Sequence, residues 1–252
     1  MENIILNEDC FKVFPKLSKE CIDLIIVDLP FGQTALEWDC EIDLELMWTH
    51  LKRILKPNGQ ILFFCTARFG NKLINSNEKW FRTDFVYEKS RVVGHLSANR
   101  QPLRSHELIY LFHSPYLRKG HKWTYNPQFT FGEKPYTKNN VNTFTNVYNS
   151  QKKETSHVND GRRFPRSIIK VSNDNHKSIH PTQKPIELLE WLIKSYSNEN
   201  DLVLDFTAGS CSVAVACRNL KRKFICIEKN KDYFDKAIER FGLINNLNIN
   251  KQ

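Results

Sequence analysis

The chain has 252 residues, of which 40% are hydrophobic, and its formal net charge is +9. This length and composition fit one large α/β domain, or a smaller domain that carries an insertion. No apolar run approaches the roughly 20 residues of a membrane span, and the acidic amino terminus is unlike a signal peptide, which predicts a cytoplasmic protein. The seven cysteines include no C-x-x-C pair, so we expect reduced core residues and no metal site.

Residues 1–113 are predicted to alternate short strands and helices. Apolar runs predict strands at 3–6, 23–28, 60–65, 83–90 and 106–113. Helical spacing predicts helices over "CFKVFPKL" and over 43–55, the second capped by Asp43 and ended by "KPNG". The segment "RVVGHLSANRQPLR" between the last two strands is too polar and too broken for the core.

The stretch 114–179 loses this pattern and is strongly basic. It holds 12 Lys or Arg and 4 Asp or Glu, which leaves a net charge of +8. Nine aromatic residues lie among these charges: Tyr116, Trp123, Tyr125, Phe129, Phe131, Tyr136, Phe144, Tyr148 and Phe164. Such a mixture suits a surface that binds phosphates and packs against bases, although a solvated loop with anchoring aromatics explains it equally well.

Regular alternation returns in the last part of the chain. Helices are predicted at 185–197, 211–220 and 231–241, and strands at 201–206 and 223–228. Strands that alternate with helices in this way indicate right-handed β–α–β units and a doubly wound sheet.

The segment "VLDFTAGSCS" (203–212) is predicted to be a buried strand, a small-residue turn and the start of a helix. Asp205 ends the strand, Gly209 lets a ligand approach the backbone, and Glu228 follows 23 residues after Asp205, near the spacing expected of a ribose-binding acid. The turn lacks G-x-G-x-x-G, so a nucleoside without phosphates, such as S-adenosylmethionine, fits better than a dinucleotide. An ordinary tight β–α turn is the alternative.

In "SIHPTQKPIELLEWL" (178–192), Pro185 is predicted at the first helical position. Thr182 and Lys184 just before it could receive a carboxylate, such as that of the methionine part of S-adenosylmethionine. Ordinary helix capping is the alternative explanation.

Three segments, "DLPFG", "HPTQKP" and "DFTAGS", occur in this order, and together they resemble the β group of DNA amino-methyltransferases. The pieces "YEKS", "PLRSHELIYLF" and "RFPRSIIKV" resemble connecting segments of the same family, so the likeness covers essentially the whole chain. It implies a single α/β domain with the doubly wound, mostly parallel sheet of S-adenosylmethionine-dependent methyltransferases. Within 1–252, it implies a catalytic half at 1–113, a basic target-recognition insertion at 114–179 and a cofactor-binding half at 180–244.

The resemblance assigns the catalytic loop to "DLPF". Asp28 and the carbonyl of Leu29 would accept hydrogen bonds from the target amino group, Pro30 would stiffen the loop, and Phe31 would stack on the extruded base. Two of these positions depart from the usual D-P-P-Y pattern, because Leu29 replaces a proline and Phe31 a tyrosine.

The resemblance also implies a cofactor site, in which Asp9 would meet the adenine amino group and Glu228 the ribose. The implied cofactor-binding residues are Asp9, Cys10, His180, Thr182, Lys184, Asp205, Phe206, Ala208, Gly209, Ser210 and Glu228. Cys211 stands where the family has a second glycine, and cysteine is strained there if the backbone needs a positive φ.

The predicted function is methyl transfer from S-adenosylmethionine to adenine N6 in duplex DNA after base flipping. Adenine is preferred because cytosine-N4 enzymes of this group more often carry serine at the position of Asp28. Cytosine-N4 transfer and a catalytically impaired DNA-binding partner subunit remain open alternatives. Arg162 and Arg163 are predicted to contact DNA, and a homodimer and a cognate restriction endonuclease are partners compatible with the resemblance.

Overall fold

The computed structural model describes residues 1–30, 42–132, 134–140, 155–172 and 183–244. In chain order the elements are β1 (Ile4–Asn7), α1 (Cys10–Val13), β2 (Ile22–Asp28), α2 (Leu44–Ile54), β3 (Leu55–Cys65), α3 (Ala67–Ser76), β4 (Phe81–Val93), β5 (Arg104–Phe112), β6 (Tyr136–Asn140), β7 (Thr155–Asn159), β8 (Ile168–Val171), α4 (Ile186–Tyr196), β9 (Leu202–Asp205), α5 (Ser212–Asn219), β10 (Lys223–Glu228) and α6 (Lys231–Ile244). No helix within these ranges is long and apolar enough to cross a membrane.

Eight of the described strands form one sheet in the order β1-β10-β9-β2-β3-β5-β4-β8. The first five strands in this order are parallel to one another. The strand β5 is antiparallel to both β3 and β4, and β8 is parallel to β4. The predicted doubly wound, mostly parallel sheet is confirmed. Its chain order reverses between β9 and β2, the position at which ligands bind in folds of this kind.

Helices cover both faces of the sheet. Leu24 and Ile26 of β2 belong to a core cluster with residues of α4 and α5. Ile25 and Val27 belong to a second cluster with residues of α2 and α3. Because successive side chains of a strand point to opposite faces, a strand covered on both sides must be apolar throughout. This explains the unbroken run "LIIV" in the sequence.

The structure corrects three local predictions. The segment "KPNG" does not end α2 but lies within β3. At the start of β3, Leu55 is buried and pairs with Ile22, and the register shift that follows this pair accommodates Pro57. The helix α3 was not predicted; Thr66 caps it by accepting a hydrogen bond from the Phe69 N–H at 3.2 Å. Pro185 is the extended N-cap residue of α4, one position before the helix.

Residues 127–166 form a compact unit separate from residues 1–126 and 167–252. Its strands β6 and β7 form an antiparallel hairpin, and Thr130 and Arg163 exchange backbone hydrogen bonds of 3.0 and 3.1 Å. This unit lies inside the stretch 114–179, whereas β8, from the same stretch, pairs with β4 in the main sheet. The role of the stretch in target recognition stays a prediction.

Candidate active site

The strands β2 and β9 bring the two predicted loops to one edge of the sheet. They pair in parallel, with Leu24 opposite Val203 and Ile25 opposite Leu204, so Asp28 and Asp205 both lie at carboxyl ends. The Thr207 hydroxyl donates a 3.0 Å hydrogen bond to the backbone carbonyl of Asp28. Residues 179 positions apart are thereby joined at the point where the strand order reverses.

Leu29, directly after Asp28, has a buried side chain in the cluster that includes Val27. A leucine side chain therefore anchors the predicted catalytic loop. Phe31, His180 and Thr182 lie outside the described residues.

Asp28 is the end of a partly buried chain of alternating charges. The Lys184 ammonium lies 2.7 Å from Asp28 Oδ2 and 2.9 Å from Glu107 Oε2, and the Lys89 ammonium lies 3.0 Å from Glu107 Oε1. The Lys184 nitrogen also lies 4.9 Å from the centre of the Phe64 ring. Lys184, predicted to hold a cofactor carboxylate, contacts the predicted catalytic carboxylate in this structure.

Electrostatics favour the charged forms of Glu107 and Lys184. Burial opposes the ionisation of Glu107, but the ammonium groups of Lys184 and Lys89 outweigh burial and lower the pKa of Glu107 to about 2. Burial likewise opposes the charge on Lys184, yet the carboxylates of Asp28 and Glu107 raise its pKa above the ordinary value. The carboxylate of Asp28 is therefore held in one position beside a fixed positive charge.

Glu228 organises the loop that is predicted to bind the cofactor. Its Oε2 accepts the Gly209 N–H at 2.7 Å, and its Oε1 accepts the Asn230 N–H at 2.8 Å. Burial raises the pKa of Glu228, while these N–H groups work against the increase. A carboxylate has about four lone-pair sites, so its oxygens retain capacity for ribose hydroxyls.

Asp205 has a different environment from Glu228. Its side chain is buried, and Oδ1 accepts the Thr207 N–H at 3.2 Å. Burial raises the pKa of Asp205 to about 8, and the nearby charges of Glu228 and Asp28 add to the increase. The Asp205 carboxyl thus stabilises the turn through its hydrogen bond to the Thr207 N–H. Phe206, Ala208 and Ser210 of the same turn are also buried.

Asp9 lies near Glu228 because β1 pairs with β10, with Asn7 opposite Glu228. Its carboxylate caps α1 by accepting the Phe11 N–H at 2.9 Å, and it lies 3.0 Å from the Lys229 ammonium. Burial works against ionisation, but these two contacts lower the pKa of Asp9. Cys10 begins α1, and burial together with the Asp9 charge raises its pKa to about 12. Two acids thus lie near the ends of neighbouring strands.

Cys211 has φ 54° and ψ 34°, which is the left-handed region. The positive φ considered in the sequence analysis is therefore present, and Gly209 in the same turn has φ 49°. A side chain in this region costs roughly 1–2 kcal/mol relative to glycine. The buried Cys211 packs in the main core cluster, which offsets part of this strain.

Arg162 and Arg163 lie in the compact unit 127–166 and have different environments. Arg163 donates to the Asn159 side chain and, at 3.1 Å, to the Lys134 carbonyl, and its guanidinium lies 5.0 Å from the Tyr136 ring centre. Arg162 is 51% exposed and pairs with the exposed Asp160 at 2.7 Å. Arg163 therefore holds the unit together, whereas Arg162 presents its charge to solvent.

Comparisons with known proteins agree with this geometry. A family model described as DNA methylase, of the N6/N4 type, matches residues 22–239. The type II methyltransferase M.HpaI of Haemophilus parainfluenzae is 30% identical over 95% of this chain and 74% of its own length. The chain belongs to the N6/N4 DNA methylase family.

Other relatives extend this finding. The type II methyltransferase M1.MboII of Moraxella bovis is 26% identical and is matched over 98% of both chains. The crystal structure of the M1.HpyAVI–SAM complex has a TM-score of 0.61 at 25% identity, over 94% of this chain and 98% of that one. The cytosine-N4-specific PvuII DNA methyltransferase has a TM-score of 0.66 at 16% identity, over 97% and 87% of the two chains, and shows the shared fold alone.

The sequence analysis missed Glu107 and Lys89, which complete the charge chain of this DNA methylase. Both lie in predicted strands, and "HELIYLF" places one acid beside an otherwise apolar run. A charged residue in a strand that is covered on both faces needs a partner, and that was the available signal. No group of three or more His, Cys, Asp or Glu side chains that could hold a metal occurs in the described ranges.

Proposed function

We propose that this DNA methylase transfers a methyl group from S-adenosylmethionine to N6 of adenine in duplex DNA, after the base leaves the helix. The observation that carries the proposal is the meeting of the two predicted loops, where the Thr207 hydroxyl donates a hydrogen bond to the Asp28 carbonyl. The strand that ends at Asp28 pairs with β9, and β9 pairs with β10, which ends at Glu228. Asp9 and Glu228 suit the adenosine of the cofactor. The sulfonium of S-adenosylmethionine supplies an electrophilic methyl group.

Asp28 and the Leu29 carbonyl prepare the target nitrogen. An exocyclic amine is a poor nucleophile because its lone pair is conjugated with the ring. Two hydrogen-bond acceptors favour a pyramidal nitrogen whose lone pair is directed at the methyl group. No covalent intermediate is needed, since orientation and electrostatics supply most of the acceleration.

Lys184 is the positioning residue for Asp28. Its ammonium contacts both Asp28 and Glu107. Glu107 holds the ammonium in place, and the ammonium in turn holds the Asp28 carboxylate. Lys184 also lies in the segment predicted to receive the cofactor carboxylate.

The base specificity is tested by mass spectrometry of nucleosides from DNA treated with the protein and S-adenosylmethionine. We expect N6-methyladenine, because Asp28 occupies the position where serine is common in cytosine-N4 enzymes. N4-methylcytosine without N6-methyladenine would contradict the adenine assignment. The relatives named type II methyltransferases support a restriction–modification role with a cognate endonuclease.

The role of Asp28 is tested by Asp28→Ala. We expect methyl transfer to fall by at least about a hundredfold, the loss typical of one transition-state hydrogen-bond partner. Cofactor affinity measured by calorimetry should stay nearly unchanged, because Glu107 still pairs with Lys184. The matched control is Asp84→Ala, which removes an exposed carboxylate from β4. Near-normal turnover of Asp28→Ala would mean that Asp28 only ends a strand.

A further inference from the structure

The hairpin between β4 and β5, residues 89–106, combines exposed apolar side chains with positive charge. It contains Lys89, Arg91, Arg100 and Arg104, and no Asp or Glu. The exposed apolar side chains are Val92 at 38%, Val93 at 46% and Leu96 at 106% of full exposure. Leu96 lies in a single turn of 3-10 helix that follows Gly94, whose φ is 95°. A fully exposed leucine at the tip of a basic hairpin has no role in the core.

Strand pairing directs this hairpin past the edge that holds Asp28. Asp28 lies opposite Phe64 near the end of β3, and Cys65, the last residue of β3, lies opposite Leu108. Residues 104–107 of β5 therefore extend beyond the end of β3, and Val93 of β4 pairs with Arg104 at this level. At about 3.3 Å per residue, the paired part alone rises roughly 13 Å beyond the sheet edge.

A large bulge lies at the base of the hairpin. Glu88 pairs with His106 and Val93 with Arg104, so four residues of β4 stand where β5 has only Ser105. A bulge bends a strand and redirects its side chains. It allows Arg91 and Val92, like Leu96, to be exposed.

We propose that this hairpin docks on the DNA duplex, with its arginines against phosphates and Leu96 against the base stack next to the extruded nucleotide. The inference rests on the proposed function, because a gap in the stack exists only if the target base leaves the helix. Leucine is among the apolar residues that DNA-bending proteins insert between base steps. The strand β4 lies three strand spacings, roughly 14 Å, from β2, the strand that ends at Asp28. This distance is close to the width of the DNA major groove, about 12 Å.

The charges select DNA over a protein partner for this surface. Cores of protein–protein interfaces are depleted of charge, and basic residues on one side would need acids on the other. Apart from Lys89, which pairs with Glu107, the hairpin has three arginines and no acid near three exposed apolar side chains. A polyanion that also offers an apolar base stack satisfies both features.

The charge part is tested with Arg91→Ala/Arg100→Ala, measured by fluorescence anisotropy on a random-sequence DNA duplex over a series of salt concentrations. Each phosphate contact contributes about 0.9 to the slope of log K against log salt, so we expect the slope to fall by about 1.8 and affinity at low salt to fall at least tenfold. The control is Lys79→Ala/Lys221→Ala, which removes two exposed charges at the opposite edge of the sheet. Equal slopes for the two double variants would overturn the proposal.

The wedge part is tested with Leu96→Ala against Leu46→Ala, an exposed leucine on α2. We expect Leu96→Ala to reduce the methylation rate on duplex DNA about three- to tenfold, from the loss of buried methylene groups, with the salt slope unchanged. The reduction should shrink on DNA with mismatches, whose bases leave the stack more easily. A Leu96→Ala rate equal to that of Leu46→Ala would overturn the wedge.

Different results would contradict the proposed function and the hairpin inference. A wild-type protein that binds DNA but forms no N6-methyladenine would overturn the proposed function, while the anisotropy comparison would still decide the hairpin contact. A wild-type protein that forms N6-methyladenine, with hairpin variants equal to their controls, would overturn the hairpin inference alone.

Discussion

At the scale of single residues, Lys184 connects Asp28, the predicted catalytic carboxylate, with a second acid, Glu107. Removing charges from water costs free energy, and a buried ion pair recovers it only when every charge has a partner. Here Asp28, Lys184, Glu107 and Lys89 alternate in sign with contacts of 2.7–3.0 Å. The gain is positional, because rotation of the Asp28 carboxylate would separate it from Lys184.

We expect Glu107→Gln to lower the free energy of unfolding by about 3 kcal/mol at neutral pH, since it leaves two largely desolvated ammonium groups, of Lys89 and Lys184, with one carboxylate. The matched control is Glu88→Gln, which breaks an exposed pair with Lys170 and should cost less than about 1 kcal/mol. Urea unfolding at pH 7 measures both. Equal losses for the two variants would contradict the role of Glu107 in the charge chain.

The pH dependence of the Glu107→Gln effect has a definite sign. The pKa of Glu107 is about 2 in the folded protein, below its ordinary value of 4.5. Its stabilising contribution is therefore fully present above pH 4.5 and is lost as the pH falls towards 2. The stability difference between wild type and Glu107→Gln should therefore shrink as the pH falls through this range. A difference that stays constant with pH would contradict a lowered pKa of Glu107 in the folded protein.

At the scale of elements, the turn from β9 into α5 stores strain at the predicted cofactor loop. Cys211 adopts a conformation that favours glycine, yet its side chain is buried in the core. The thiol thus contributes packing at the cost of backbone strain. This balance explains how a cysteine is tolerated where the family has a glycine.

Comparing Cys211→Gly with Cys211→Ala separates strain from packing, because both variants remove the sulfur. We expect the glycine variant to be more stable by about 1 kcal/mol, since only glycine relieves the positive φ. Urea unfolding measures the difference, and calorimetry with S-adenosylmethionine tests whether the relaxed loop binds more tightly. An alanine variant as stable as the glycine variant would mean that the turn carries no such strain.

At the scale of the whole molecule, positive charge is concentrated in one part of the chain. The stretch 114–179 carries +8 of the total +9. Counterion release then makes DNA affinity strongly dependent on salt. Within this stretch the structure distinguishes a solvent-facing arginine, Arg162, from an anchoring one, Arg163.

We expect Arg162→Ala to reduce the slope of log K against log salt by about 0.9 for a random-sequence duplex, with the melting temperature unchanged. Arg163→Ala should instead loosen the unit 127–166, because its guanidinium bonds to Asn159 and Lys134 are lost. Limited proteolysis detects that loosening. If Arg162→Ala leaves the slope at its wild-type value, Arg162 makes no phosphate contact.

The sequence by itself determined the fold class and the family. Unbroken apolar runs predict strands covered on both faces, and three short motifs in order indicate the family, because both signals are local. The assignment of the catalytic and cofactor loops within those motifs stays a prediction. The meeting of the Asp28 and Asp205 strands also followed from the sequence, through the general rule for doubly wound sheets.

Only the tertiary structure decided which charges meet. Lys89, Glu107 and Lys184 belong to three segments whose contacts depend on strand order and register, and no local pattern encodes either. The same holds for the basic hairpin, which in the sequence is only a polar break between two strands. Antiparallel pairing of β5 with β3 makes it rise beyond the edge that carries Asp28. Local chemistry is written in the sequence, whereas the position of distant side chains is fixed by the pairing of the whole sheet.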